Sequence, residues 1–223
     1  MDRSKYIEWD VVNWSRALGF WRKHSSLKWQ GIKVLEIGGR YGGLSLWLAE
    51  QGADVLCTDK EKIELPQHII PENKISGKIR YERLDALDIP FDKDFDIILF
   101  KSVLGGIGRN NQPGKQRKAI GEMYKALKPG GELFFAENLT ASPLHRFFRK
   151  KFVRWGSEWR YVTIQEMLDD LRLFSEIKYT TAGFLGAFGR TEGMRKFLGY
   201  FDRAGDRIVP SAWRYIIIGV AKK

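Results

Sequence analysis

The chain has 223 residues, 43% hydrophobic and 13% aromatic, enough apolar material for one α/β domain to build a core without staples. Its single cysteine, Cys57, excludes an internal disulfide; the opening MDRSKYIEWDVV lacks the apolar centre of a signal peptide, and no window approaches the ~20 apolar residues of a membrane span, so the expected location is the cytoplasm. The net charge of +11 favours an acidic partner, whether nucleic acid, an anionic small molecule or an anionic lipid surface, without choosing among them.

In chain order, residues 6–26 have a helical pattern and carry Trp9, Trp14 and Trp21, which predicts an N-terminal arm packed on the domain or covering its cleft. A strand is expected over 33–37, then a glycine turn and a helix through Glu50, with further strands over 54–58, 79–83 and 95–100. A helix over about 116–127 stops at Lys128, Pro129, Gly130 and Gly131, and a fifth strand follows over 132–136. A helix near 163–173, a sixth strand over 176–181 and a last strand over 214–221 complete the pattern, the final two pairing antiparallel. Alternation of apolar runs with helical segments predicts a Rossmann-like, mainly parallel seven-stranded sheet with an antiparallel last strand and helices on both faces. No linker divides the chain, so one domain over 27–223 is expected behind the arm 1–26, with cap-like insertions at 140–160 and 183–210.

Three polar strand ends converge in that topology. Val34 to Gly43 reads VLEIGGRYGG, an apolar strand running into a glycine turn that opens a helix, where glycines allow positive φ and a helix N-terminus offers unpaired N–H groups. Asp59 ends the second strand about 20 residues later, where an acid in a nucleotide-binding half accepts hydrogen bonds from ribose hydroxyls or caps the next segment. Asp85 follows the third strand and faces the same crevice outside the carboxyl ends of the sheet.

With these residues the chain resembles the class I methyltransferases that use S-adenosylmethionine. VLEIGGRYGG is similar to the family's first motif, CTDKE to its second, LDALDIPF to its third, FDIILFKSVLGGI to the strand 4 motif, and ALKPGGELFFAEN to the segment leading into strand 5. The resemblance implies that Gly38, Gly39 and Gly42 line the cofactor, that Glu36 orients its amino end, and that Asp59 takes the ribose hydroxyls. It further implies that Asp85 and Ala86 meet the adenine, with Lys60 and Lys101 beside the cofactor. The family's central glycine falls on Arg40, which predicts a reshaped turn. The same arginine argues against a nicotinamide-dependent oxidoreductase, whose G-x-G-x-x-G pattern would need glycine at that position.

Methyl transfer from a sulfonium requires in-line positioning and a water-free site more than a nucleophilic side chain. If the acceptor needs a base, His145 is the histidine best placed after the fifth strand, ahead of His24 in the arm and His68 in a polar loop, and Glu137 is the alternative. Ser102 is expected to face the acceptor. The segment Thr140 to Arg160 carries Arg146, Arg149, Lys150, Lys151, Arg154 and Arg160 against Glu158 alone, with Leu144, Phe147, Phe148 and Phe152 on one helical side. It reads either as a solvated helix packed by its apolar face, or as a cap whose Arg149 and Arg154, with Trp155 nearby, bind an acidic acceptor or lie against an anionic membrane. The expected acceptor is a small or glycan-like anion; an RNA acceptor and a non-catalytic cofactor-binding protein are the alternatives. DNA base methylation is disfavoured because Phe-Lys-Ser-Val-Leu replaces the proline-rich tetrapeptide of base amino methyltransferases. No metal is expected.

Overall fold

A computed structural model of the chain describes residues 2–61, 78–152 and 158–223; His68, Arg154 and Trp155 lie outside the described residues. Seven strands form one sheet in the order β3-β2-β1-β4-β5-β7-β6: β1 Lys33–Ile37, β2 Asp54–Asp59, β3 Ile79–Arg83, β4 Phe95–Lys101, β5 Leu127–Asn138, β6 Glu176–Ala182 and β7 Ile216–Lys222. The first five pair parallel, and β7 runs antiparallel between β5 and β6. β1 and β4 read as continuous apolar runs because helices cover both of their faces, the burial expected of a parallel sheet.

Alternation along β5 sends Phe134 and Ala136 into one core and Leu133 and Phe135 into the other. On the first side the sheet is covered by α1 (Val11–Trp14), α2 (Arg16–His24) and α3 (Gly43–Ala49), and on the second by α5 (Pro113–Ala126) and α7 (Ile164–Asp170), while α4 (Leu104–Ile107) is a single turn after β4. Proline opens α5 at a position where its missing N–H costs nothing, and Ala119, Ile120, Met123 and Ala126 give it one buried face. A capping box starts α7: Thr163 Oγ1 accepts from the Glu166 N–H at 3.1 Å, and Glu166 Oε2 accepts from the Thr163 N–H at 2.8 Å. α6 (Pro143–Phe152) and α8 (Glu192–Gly205) lie outside these two layers.

The arm differs from the single helix read from its periodicity. Ser15 separates α1 from α2, and Asp10 enters α1 with φ 46°. Trp14 and Trp21 are fully buried, Trp21 stacking on Phe134 at 5.6 Å and donating from Nε1 to the Gly219 carbonyl at 3.0 Å. The arm is therefore part of the main core. β5 also begins earlier than the glycines suggest, because Leu127 already pairs with Phe95 before the register shifts at Ile97.

Candidate active site

The glycine turn after β1 contains three left-handed residues, Gly38 at φ 68°, Arg40 at φ 50° and Gly42 at φ 71°. Its N–H groups are largely used internally: Gly39 donates to the Thr58 carbonyl at 2.8 Å and Gly42 to the Gly39 carbonyl at 2.7 Å. A Cβ on Gly39 would stand 2.4 Å from Cys57 Sγ, so the packing of β1 against β2 requires glycine there. Arg40 adopts the left-handed conformation a glycine would take freely, at a cost of about 1 to 2 kcal/mol. Its N–H donates to Asp59 Oδ2 at 3.3 Å, its guanidinium pairs with Glu8 of the arm at 3.1 Å, and it stacks over Tyr41 at 4.7 Å.

Glu36 lies beneath this turn with 3% exposure, where its Oε2 accepts from the Ser45 N–H at 2.8 Å and from the Ser45 hydroxyl. It thereby fastens α3 to β1, and burial pushes its carboxyl up to about 7. Asp59 remains half-buried at the end of β2, with Oδ1 accepting from the Glu61 N–H at 3.1 Å. The Leu84 N–H donates to the Asp59 carbonyl at 3.2 Å, which brings the turn after β3 alongside. Within that turn Asp85 accepts from the Leu87 N–H at 3.0 Å and pairs with Lys60 at 2.8 Å, a contact that holds its carboxyl below the usual range and raises the lysine. Ala86 is buried, and its N–H has no acceptor among the described residues. Gly38, Gly42, Asp59, Lys60, Asp85 and Ala86 thus stand at the carboxyl ends of β1, β2 and β3, the side on which an open parallel sheet has its crevice.

At the end of β4, Lys101 is half-buried with Nζ 5.2 Å from the Trp14 ring; burial pushes its ammonium down against the pull of Glu8, Glu36 and Glu137. Ser102 is held at φ 57°, its N–H donating to the Ala136 carbonyl at 2.8 Å and its Oγ accepting from Asn138 Nδ2 at 2.6 Å. A non-glycine residue in this region of backbone space carries strain of the kind stored at functional sites.

Neither candidate base is open to an acceptor. Glu137 is 1% exposed and spends one oxygen on the N–H groups of Val103 and Leu104, at 2.8 and 2.7 Å, and the other on the Asn138 N–H at 2.8 Å. It splints the loop after β4. His145 is 1% exposed, with Nδ1 2.7 Å from the Ser142 hydroxyl and Nε2 2.8 Å from the Phe184 carbonyl. The carbonyl can only accept, so Nε2 carries the proton and Nδ1 takes the serine's. Phe184, Phe188 and Tyr215 enclose the ring, and burial pushes its pKa down to about 4. The expectation of a general base at His145 is corrected here, because both nitrogens are committed inside an aromatic box.

Outside the ends of β4 and β5 lies a cleft of about 410 Å³ bordered by Thr140, Arg146, Arg149, Lys150, Arg160 and Tyr161. Arg149 is half-buried, stacks over Tyr161 at 3.9 Å, and donates from Nη1 to the Leu139 carbonyl at 2.7 Å. It forms no ion pair among the described residues, whereas Arg160 is tied to Glu166. Tyr161, Thr140 and Asn111 border the same cleft and were not singled out from the sequence. An aromatic beside an arginine-rich helix was the one available signal, and it points to Tyr161 alone.

The parallel sheet with its antiparallel β7, and a glycine turn facing acidic strand ends, define the fold of the class I methyltransferases. Residues 35–135 match the family model described as methyltransferase domain. A ubiquinone/menaquinone biosynthesis C-methyltransferase from Idiomarina loihiensis is 29% identical over 147 residues, which cover 60% of this chain and 56% of that relative's length. Among solved structures, a Thermotoga maritima S-adenosylmethionine-dependent methyltransferase, described as a possible histamine N-methyltransferase, superposes with TM-score 0.65 at 18% identity, covering 99% of this chain and 96% of that one. A Haemonchus contortus phosphoethanolamine N-methyltransferase in complex with phosphomonomethylethanolamine and S-adenosylhomocysteine superposes with TM-score 0.64 at 15% identity, covering 94% of this chain and 52% of that one.

Proposed function

We propose that the protein is an active methyltransferase that moves the S-adenosylmethionine methyl group onto a small anionic acceptor held in the Arg149 cleft. The donor set suits the cofactor: Asp59 keeps free lone pairs for a ribose diol, and the unpartnered Ala86 N–H beside Asp85 suits an adenine edge. Gly38, Gly39 and Gly42 form the wall through which backbone approaches it. Glu36 acts as a positioning residue under that wall, and Lys60 orients Asp85. Lys101 and Ser102 stand between the crevice and the cleft, and Glu137 keeps Ser102 and its loop in place.

The bound cofactor supplies an electrophilic methyl group, so the chain's own work is to hold the acceptor in line and keep water out. The observation carrying the acceptor class is Arg149. A half-buried guanidinium without a carboxylate partner is costly, and a carboxylate or phosphate in the cleft offsets that cost through two parallel hydrogen bonds. Arg146 and Lys150, both exposed at the rim, add charge of the same sign. The phosphate-bearing ligand of the Haemonchus contortus neighbour lends support that this fold accommodates such an acceptor.

The test is transfer from methyl-labelled cofactor to a panel of small carboxylates and phosphates, with mixed RNA as comparison. For the accepted compound, Arg149→Met is expected to raise KM by about 10 to 100-fold, the cost of leaving one side of a charge-assisted pair unmatched. Cofactor affinity should not move. Labelling of RNA alone, or an unchanged KM in Arg149→Met, overturns the reading.

A further inference from the structure

α8 (Glu192–Gly205) is amphipathic in the reverse sense to α5, with its acids turned inward and its apolar side turned out. Glu192 accepts from the N–H groups of Asp10 and Val11, both at 2.8 Å. Asp202 accepts from the N–H groups of Leu185 and Gly186 and from Asn13, at 2.6, 2.9 and 2.8 Å. Asp206, just beyond the helix, pairs with Arg16 of the arm. Every acidic side chain of this segment is thus consumed by the body of the protein.

The opposite face carries Met194, Phe197, Phe201 and, on the following turn, Ile208, which are 47, 63, 53 and 85% exposed. Spacings of three and four residues place Met194, Phe197 and Phe201 in one stripe with Tyr200 beside it, and Ile208 stands in the turn just beyond the helix. Lys196, Arg203 and Arg207 are exposed on the same segment, and Arg203 and Arg207 form no ion pair among the described residues. The turn bearing Ile208 is rigid: Arg214 donates to the Val209 carbonyl at 2.8 Å and to the Asp206 carbonyl. Close by in the chain, Trp213 is 49% exposed and stacks on Phe184 at 6.4 Å.

We propose that this outer face of α8 docks on an anionic lipid bilayer. Aromatic and aliphatic side chains in a stripe, on a segment that also carries exposed lysine and arginine, are the composition of a helix lying in the interface plane, with apolar groups at the acyl boundary and cations among the headgroups. Charge selects this occupant over a second copy of the chain, since pairing two such faces would gather the cations of both copies with no carboxylate of the segment left free to offset them. Nucleic acid would engage the cations and rings but leaves Ile208 and Met194 without a counterpart. No described helix is long and apolar enough to span a bilayer, so the contact is peripheral.

Flotation of the full chain with phosphatidylcholine vesicles, with and without phosphatidylglycerol, tests this. Binding is expected to the anionic vesicles only and to weaken with salt. Arg203→Gln and Arg207→Gln should each reduce partitioning roughly fivefold, equivalent to about 1 kcal/mol per cation near the surface. Phe197→Ser combined with Phe201→Ser should abolish flotation while leaving the thermal midpoint unchanged, since both rings are exposed. Cys57 is buried, so a fluorophore on Phe197→Cys labels one site, and its emission should shift to the blue with anionic vesicles. Absence of flotation and of that shift overturns the proposal. So does a concentration-dependent dimer, or an RNA complex, that the Phe197→Ser, Phe201→Ser variant destroys while vesicle binding persists.

Discussion

At the glycine-turn end of the sheet, Asp59, Asp85 and the Ala86 N–H border the crevice with hydrogen-bonding capacity left over. Where the arm meets α8, polar side chains of similar number close on one another instead. Asp10 accepts from Asn13 at 3.2 Å and from the Tyr215 hydroxyl, Asn13 also donates to Asp202, and all four are buried. The first arrangement suits a ligand that comes and goes, and the second locks an element in place. Polar residues at strand ends therefore indicate function only where their bonding capacity remains unfilled.

Four measurements would break or sharpen that contrast. The largest effect is expected in the locked half. Trp21→Ala removes a fully buried ring stacked on Phe134 and should cost about 3 to 5 kcal/mol in denaturant unfolding; a loss below about 1 kcal/mol would show the arm to be an appendage. In the open half, Asp59→Ala should weaken binding of S-adenosylhomocysteine by about 1 to 3 kcal/mol by calorimetry and barely affect folding. Equal affinity would remove Asp59 from the cofactor site.

The third measurement uses pH, because the locked half holds two groups shifted in ways that oppose each other. Burial pushes Asp10 up to about 7, so the folded chain keeps a proton that the unfolded chain loses near 3.8; this contribution is present in acid and is lost as pH rises from about 4 to 7. Burial pushes His145 down to about 4, so its contribution is present above about 6.5 and is lost as pH falls toward 4. Asp10→Asn should leave a profile that falls more steeply in acid. His145→Gln should leave one that gains in acid, and neither group can alter the slope by more than about 1.4 kcal/mol per pH unit. Parallel profiles for the two variants would contradict this. The smallest effect is expected at Arg40→Gly, where relief of left-handed strain and loss of the Glu8 pair nearly offset, leaving a net change of about 1 kcal/mol or less in thermal unfolding. A loss above about 2 kcal/mol would mean that the arginine secures the arm.

The parallel strands and the glycine turn were legible in the sequence because buried strands are short continuous apolar runs and turns need particular residues. The left-handed backbone at Arg40 was not legible, because φ is not visible in a residue's identity and an arginine tolerates that region at modest cost. His145 looked available because it follows β5 closely enough in the chain to reach the cleft. What closes its ring is the Phe184 carbonyl, brought across by the chain after β6. Arg149 was named with Arg154 from the sequence, and its contacts with Tyr161 and the Leu139 carbonyl were not legible there. The arm's tryptophans showed helical spacing but not that two of them complete the core beside β5 and β7.

β7 is made after the other described strands, yet it sits between β5 and β6 in the sheet. Until it is made, β6 has no neighbour, and one long edge of β5 stays bare. The arm is made before the sheet but waits as well: Trp21 donates to the Gly219 carbonyl, and Asp10 and Asn13 both bond to Tyr215. Folding during synthesis can thus complete the β1–β4 half while the arm remains undocked, with its tryptophans exposed to chaperones and to other nascent chains.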